Sequence, residues 1–322
     1  EVYRATMSYL DWRVYGFFFS FIAVMFRAFY VSTTNTKILT ANSVVMVLTN
    51  VVLNYILIFG KFGFPALGIA GAAIASSISE AVSVMFFVIY TWKKVDYKKY
   101  GLFRFTRVDF RMLGQILSVS IWVMIQHGIA FGGWFIFFIA MEHLGERPLA
   151  ITNVVRSISS FLFMFVNAFA STNSSLVSNL IGAGESDRVL PLSRRMIGLC
   201  YAFVLPIGIL IAMFPSTVLR IYTDNPDLIA SSIPSLWVML SSYLFAVPGF
   251  IYFFSVSGTG NTRRALEIDM ASIFVYVLYI LYVAVWLRAD VAVCWTTEYV
   301  YNIMILSSFF YLWKGNWRNK KI

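Results

Sequence analysis

Gly68-Ile69-Ala70-Gly71-Ala72-Ala73-Ile74-Ala75-Ser76-Ser77-Ile78-Ser79-Glu80 opens a hydrophobic segment that runs to Trp92. A helix places residues 68, 72, 76, 79, 80 and 83 on one face, which reads Gly, Ala, Ser, Ser, Glu, Ser. Small residues let helices approach closely in lipid, where packing must replace the hydrophobic effect. A glutamate on such a face points into protein or a wet cavity, not into lipid. The stretch therefore predicts a membrane helix that forms one wall of a larger helical assembly.

The rest of the chain agrees. Its 322 residues are 60% hydrophobic and only 12% charged, too little charge to cover a soluble domain of this size. Nine hydrophobic segments are long enough to span, at roughly 14–30, 41–60, 68–92, 112–141, 151–182, 197–219, 232–257, 267–289 and 291–313. The fold class is an all-α polytopic membrane protein. The strand alternation of a membrane β-barrel is absent.

The net charge of +10 lies between the segments. Sixteen Lys and Arg residues fall in 93–111, 183–196, 258–266 and the tail, against Arg147, Arg220 and Arg288 in the alternate loops. This asymmetry places the first set and the C-terminus in the cytoplasm. It also argues against nucleic acid as a partner, because the basic residues follow the membrane segments and form no single patch. Counting back over three more segments puts residue 1 outside. A chain that begins outside, with Glu1 and without a signal pattern, is expected to be part of a longer protein. Cys200 and Cys294 lie inside hydrophobic segments, so neither a disulfide framework nor a metal site follows.

The expected organisation is a three-helix partial lobe at 1–92, a basic cytoplasmic linker at 93–111, a six-helix lobe at 112–313 and a basic tail at 314–322. An internal repeat supports the division. Thr33-Thr34-Asn35-Thr36-Lys37 and Thr259-Gly260-Asn261-Thr262-Arg263 each precede two hydrophobic segments and sit on the same side by the charge count. Parallel repeats about an axis along the membrane normal are a transporter architecture. The alternative is that Thr-Asn-Thr is merely a convenient turn and cap.

Three motifs carry a family resemblance. Asn50-Val51-Val52-Leu53-Asn54 runs through Ile58-Phe59-Gly60 to Pro65-x-x-Gly68-x-x-Gly71-Ala72-Ala73-Ile74-Ala75-Ser76. Leu176-Val177-Ser178-Asn179-Leu180-Ile181-Gly182-Ala183-Gly184 ends a helix, and Gly258-Thr259-Gly260-Asn261-Thr262-Arg263 forms a turn. Together they resemble the MATE (multidrug and toxic compound extrusion) family over essentially the whole chain. The resemblance implies two six-helix lobes, of which this chain lacks the first three helices. It also implies export of cationic drugs or metabolites in exchange for Na⁺ or H⁺.

The site candidates follow from polar residues inside the segments. Asn50 and Asn54 share a helical face, ~15 and ~9 Å from the outer end at Gly60, and Ser76 lies ~12 Å from the outer start at Gly68. At similar depth on antiparallel helices, the three are expected to meet. They act either as a cation site or as interhelical glue. The resemblance places an acid in such a site, and Asn54 stands where it would be. Glu80 lies ~18 Å in, a candidate for proton coupling or for a hydrogen-bonded protonated contact. Its repeat counterpart is Glu298. His127 is a further proton-coupling candidate beside Gln126, because imidazole titrates near physiological pH. The resemblance would place a cation-binding acid in this region, and residues 115–141 hold none. Gln126, Asn153, Asn167 and Asn173 are expected to line a cavity, since lipid does not tolerate so many amides. Arg156 is expected to snorkel to the outer interface.

No H-E-x-x-H, nucleophile elbow or phosphate loop is present, so the chain does not read as an enzyme. The reading is secondary active efflux of a small organic cation by H⁺ or Na⁺ antiport with alternating access, in the plasma (inner) membrane. The partners are the substrate and membrane lipid, the coupling ion is H⁺ or Na⁺, no other cofactor or metal is implied, and the protein is expected to be monomeric. The alternatives are a lipid-linked precursor flippase of the same superfamily and a non-transporting membrane scaffold or fragment.

Overall fold

The computed structural model describes residues 2–96, 99–101, 109–315 and 317. Parts of the expected linker (97–98 and 102–108) and most of the tail (316 and 318–322) lie outside the described residues. The described chain is helical, with no strand: α1 (Val2–Ser32), α2 (Lys37–Phe59), α3 (Gly68–Lys94), α4 (Phe110–Leu144), α5 (Glu146–Gly182), α6 (Val189–Met213), α7 (Pro215–Leu219), α8 (Pro226–Gly258), α9 (Thr262–Ile280), α10 (Val291–Cys294), α11 (Thr297–Ile305) and α12 (Ser308–Lys314). A π-helical turn, Leu281–Trp286, extends α9. Eight of the described helices are long and apolar enough to cross a membrane. The ninth expected segment, 291–313, is instead the series α10–α11–α12, joined by turns in which Thr296, Ser307 and Phe309 donate to carbonyls three residues back.

Local sequence sets the ends. The Asp109 carboxylate accepts from the Arg111 and Met112 amides at 2.9 and 3.1 Å and starts α4. Asn225 caps α8, with Pro226 at the first helical position. Gly60 ends α2 at φ 64°, and a Cβ there would meet the Ala66 nitrogen at 2.7 Å. The two copies of the Thr-x-Asn-Thr turn share a backbone shape, with Thr34 at φ 57° and Gly260 at φ 77°.

The described chain divides into two compact units, Glu1–Arg107 and Val108–Ile322. In the first, α3 packs against both α1 and α2. Its buried stripe is Gly71, Ala73, Ala75, Ser79, Ser83, Phe87 and Thr91. The tightest packing thus lies one residue round from the face expected on 68, 72 and 76: a Cβ on Gly71 would stand 2.6 Å from the Leu57 carbonyl oxygen. Side-chain bonds fasten α3 on both flanks. The Asn42 amide donates to Ser83 Oγ at 2.8 Å, and Tyr30 shares a 2.6 Å bond with Thr91.

In the second unit α5 and α8 form the main pair, and α4 with α9, α6 and α11 close around them. The α5–α8 register is pinned at three levels. Arg147 donates to Ser231 at 2.7 Å, Tyr243 donates to the Ser159 carbonyl at 2.7 Å, and Ser178 donates to the Gly258 carbonyl at 2.8 Å. Gly258 makes that last approach possible, since a Cβ there would lie 2.5 Å from the Ser174 carbonyl.

Candidate functional site

In the first unit α2 and α3 bring Asn50, Asn54 and Ser76 together. Asn54 Nδ2 donates to Asn50 Oδ1 at 2.9 Å, and Asn50 Nδ2 donates to Ser76 Oγ at 3.3 Å. The Asn54 Oδ1 acceptor is buried without a partner. Glu80, one turn further along α3, does not join them. Its carboxylate is held by Arg13 of α1, with Nη2–Oε1 at 2.7 Å and Nη1–Oε2 at 2.9 Å. The paired forks fit only because Gly16 has no side chain: a Cβ there would meet Arg13 Nη1 at 2.6 Å and Glu80 Oε2 at 2.7 Å. Arg13 was absent from the sequence reading, because it lies outside the expected first segment at 14–30. The helix in fact begins at Val2.

The second unit holds a buried acid that the sequence reading missed. Asp269 on α9 is 2% exposed and accepts a hydrogen bond from the Tyr301 hydroxyl of α11 at 3.0 Å. The buried Gln126 side chain of α4 approaches the same carboxylate. Gln126, expected to line a cavity, is therefore an internal partner of an acid. The signal was present: Asp269, Ser272 and Tyr276 share one face of a hydrophobic segment. Asp269 stands just two residues into the expected segment at 267–289, where hydropathy alone does not separate a buried acid from an interfacial one.

Tyr276, one turn-pair along from Asp269, packs edge-on against Tyr301 with ring centroids 5.9 Å apart. Its hydroxyl approaches the Arg156 guanidinium. Arg156 corrects an expectation. It does not snorkel; it is 9% exposed. Helix α5 begins at Glu146 rather than 151, so Arg156 lies ~15 Å inside it. The guanidinium sits 3.7 Å over the Trp134 ring and 5.4 Å from that of Trp295. Its Nη1 stands 3.7 Å from Glu298 Oε1, while Nε and Nη2 have no hydrogen-bond partner. Desolvated cation–π contacts of this kind contribute about 2 kcal/mol. Asp269 with Tyr301, and Arg156 with Glu298, are thus two polar pairs in one unit, bridged by the ring contact of Tyr276 on Tyr301.

The remaining candidates separate. Asn173 is buried and ties three helices, with Nδ2 at 2.6 Å from Ser255 Oγ and 3.3 Å from both Ser193 Oγ and the Ile251 carbonyl. It lines no cavity. Asn153 and Asn167 are exposed, on a stripe with Ser157, Ser160 and Ser171. That stripe is polar along most of a membrane-length helix. His127 is exposed and is not brought to Asp269. No cluster of three metal-ligating side chains occurs among the described residues.

Eight membrane-length helices with ion pairs and a carboxylate buried among them define a polytopic integral membrane protein. The MatE family model matches residues 123–285, which is 163 of the 322 residues. The chain belongs to the MatE family. The probable multidrug resistance protein NorM of Thermotoga maritima is 28% identical over 73% of this chain and 50% of its own length. The probable multidrug resistance protein YoeA of Bacillus subtilis is 25% identical over 76% and 53%. The chain spans about half the length of these curated relatives. A MATE structure in complex with MaL6 superposes with a TM-score of 0.84 over 96% of this chain and 69% of that one, at 16% identity. The Vibrio cholerae MATE transporter VcmN D35N mutant gives 0.81 over 97% and 70%, at 17% identity. At these identities the likeness establishes the fold.

Proposed function

We propose that this chain forms part of a secondary exporter of small organic cations, coupled to H⁺ or Na⁺, in the plasma (inner) membrane with its C-terminus in the cytoplasm. Membership of the MatE family and the names of its relatives support efflux as the activity. The charge count supports the orientation.

The observation that carries the coupling is the buried Asp269–Tyr301 pair, in the same unit as the Arg156–Glu298 pair. An uncompensated charge at such depth is costly, and protonation removes it. The Asp269 surroundings favour H⁺ over Na⁺: a hydroxyl donor and one amide are present, whereas a hard cation wants several oxygen ligands. In the first unit the Asn50–Asn54–Ser76 ladder is a second candidate, as polar ligands without a charge of their own. The exposed amide and hydroxyl stripe of α5 is the natural wall for a hydrated substrate path. Alternating access would carry the substrate past it.

The test is ethidium efflux from vesicles that carry the protein in its full genomic length. Efflux is expected under an inward H⁺ gradient. No efflux under either an H⁺ or a Na⁺ gradient would sink the proposal.

A further inference from the structure

Between α9 and α12 lies a cavity of about 440 Å³ lined by Asn261, Arg264, Ile268, Ser307, Phe310, Tyr311 and Lys314. Its chemistry is divided. One wall carries two cations and three hydrogen-bonding groups; the other is Ile268 and Phe310. From these we infer a binding site for the phosphodiester headgroup of an anionic phospholipid, separate from the coupling residues and from the substrate path.

The polar wall is ordered for an anion. Asn261 Nδ2 donates to the Tyr311 hydroxyl at 2.7 Å, which fixes that oxygen as acceptor and leaves its proton free to donate into the cavity. Arg263 and Arg264 share a single carboxylate, Glu267, at 3.5 and 2.6 Å. Lys314 makes no ion pair among the described residues. Among the described residues, three cations against one acid leave a net +2 at this end of the helix pair. Arg263 turns away to lie 5.6 Å from the Trp122 ring, so Arg264 and Lys314 are the cations that face the cavity. Asn261 and Arg264 also flank the start of α9, where the helix dipole favours negative charge.

The apolar side distinguishes a lipid from a free phosphate. From Arg264 the same face of α9 continues through Ile268, Ala271, Val275 and Leu278 to Tyr282, at helical spacing. Leu278 and Tyr282 are 52% and 49% exposed. The lane from Arg264 to Leu278 is about 21 Å long at 1.5 Å per residue, close to the length of an extended acyl chain. Phe310 stands on the opposite side of the cavity from α9 and is 62% exposed. Basic pockets between membrane helices are a recurring way to hold anionic headgroups.

The experiment is native mass spectrometry of the full chain released from detergent, with phosphatidylglycerol or phosphatidylcholine added. The double variant Arg264→Gln/Lys314→Gln is compared with the charge-matched control Arg220→Gln/Arg288→Gln. The expected result is retention of phosphatidylglycerol over phosphatidylcholine, weakened at least tenfold in the first variant and unchanged in the control. Each mutated cavity cation is exposed, and an unchanged unfolding temperature without lipid checks the fold. Equal retention of both lipids, equal weakening in both variants, or competition by inorganic phosphate at the same concentration as the lipid would each overturn the assignment.

Discussion

Thr34 and Gly260 occupy the same place in two copies of one turn, and both adopt left-handed backbone, at φ 57° and 77°. Glycine takes this conformation without strain, whereas a β-branched residue is an outlier there. Thr34→Gly is therefore expected to stabilise the first unit by about 1 kcal/mol, and Gly260→Val to destabilise the second by a similar or larger amount. Thermal unfolding in detergent reads both. A Thr34→Gly protein that melts earlier would contradict the strain argument.

The Arg13–Glu80 fork is the main charged link between α1 and α3. Glu80→Ala leaves a partly buried guanidinium unpaired and is expected to cost about 2–3 kcal/mol. Arg13→Gln/Glu80→Gln should recover part of that loss, because an amide pair can reform the hydrogen bonds without a stranded charge. Gly16→Ala should reproduce the damage without touching either charge, since its Cβ would press on both partners. A double-mutant cycle on unfolding temperature separates the three.

Glycines differ sharply in what surrounds them. Gly71→Ala and Gly258→Ala force backbone apart and are expected to cost about 1–3 kcal/mol each. Gly208→Ala meets nothing within 4 Å and should be neutral or stabilising by about 0.5–1 kcal/mol. If all three behaved alike, close helix approach would not be what those glycines provide.

Trp134 covers the Arg156 guanidinium at 3.7 Å. Trp134→Leu keeps apolar bulk but removes the ring face, and should lower stability by about 1–2 kcal/mol. Trp134→Phe should retain most of it. Arg156→Met in the Trp134→Leu background should then add little further loss. A large additional loss would show that Glu298, not the ring, holds the arginine.

Asp269→Asn and Tyr301→Phe test the coupling proposal. Asp269→Asn should abolish the response of ethidium efflux to the H⁺ gradient while leaving the unfolding temperature within a few degrees. Tyr301→Phe should weaken the response without abolishing it, since the carboxylate remains. An Asp269→Asn protein with unchanged pH-gradient dependence would remove Asp269 from the mechanism.

What the sequence disclosed follows from which interactions are local. Segment positions, the polar ladder of Asn50, Asn54 and Ser76, and the shared turn of Thr34 and Gly260 rest on helical spacing and chain order, which a sequence carries directly. The partners of Glu80, Asp269 and Arg156 come from helices 67, 32 and 142 residues away, and no spacing rule predicts such meetings. Arg156 looks interfacial from its place near the outer end of the hydrophobic segment at 151–182, but it is buried because Trp134, Trp295 and Glu298, all distant in sequence, close around it. Asn173 is ambiguous in sequence because a buried amide that ties three helices has the same composition as one that lines water.

The last helix is cut into α10, α11 and α12 by turns wound three residues to the turn rather than 3.6. Each residue in such a turn advances about 120° instead of 100°, so one turn of rewinding to α-helix would rotate everything beyond it by about 60°. Glu298 and Tyr301 both ride on α11, between two such joints. Their angular phase, and with it the pairing of Glu298 to Arg156 and of Tyr301 to Asp269, is therefore a property of two short stretches of backbone, the first of which reaches Glu298 through its own amide on the Trp295 carbonyl.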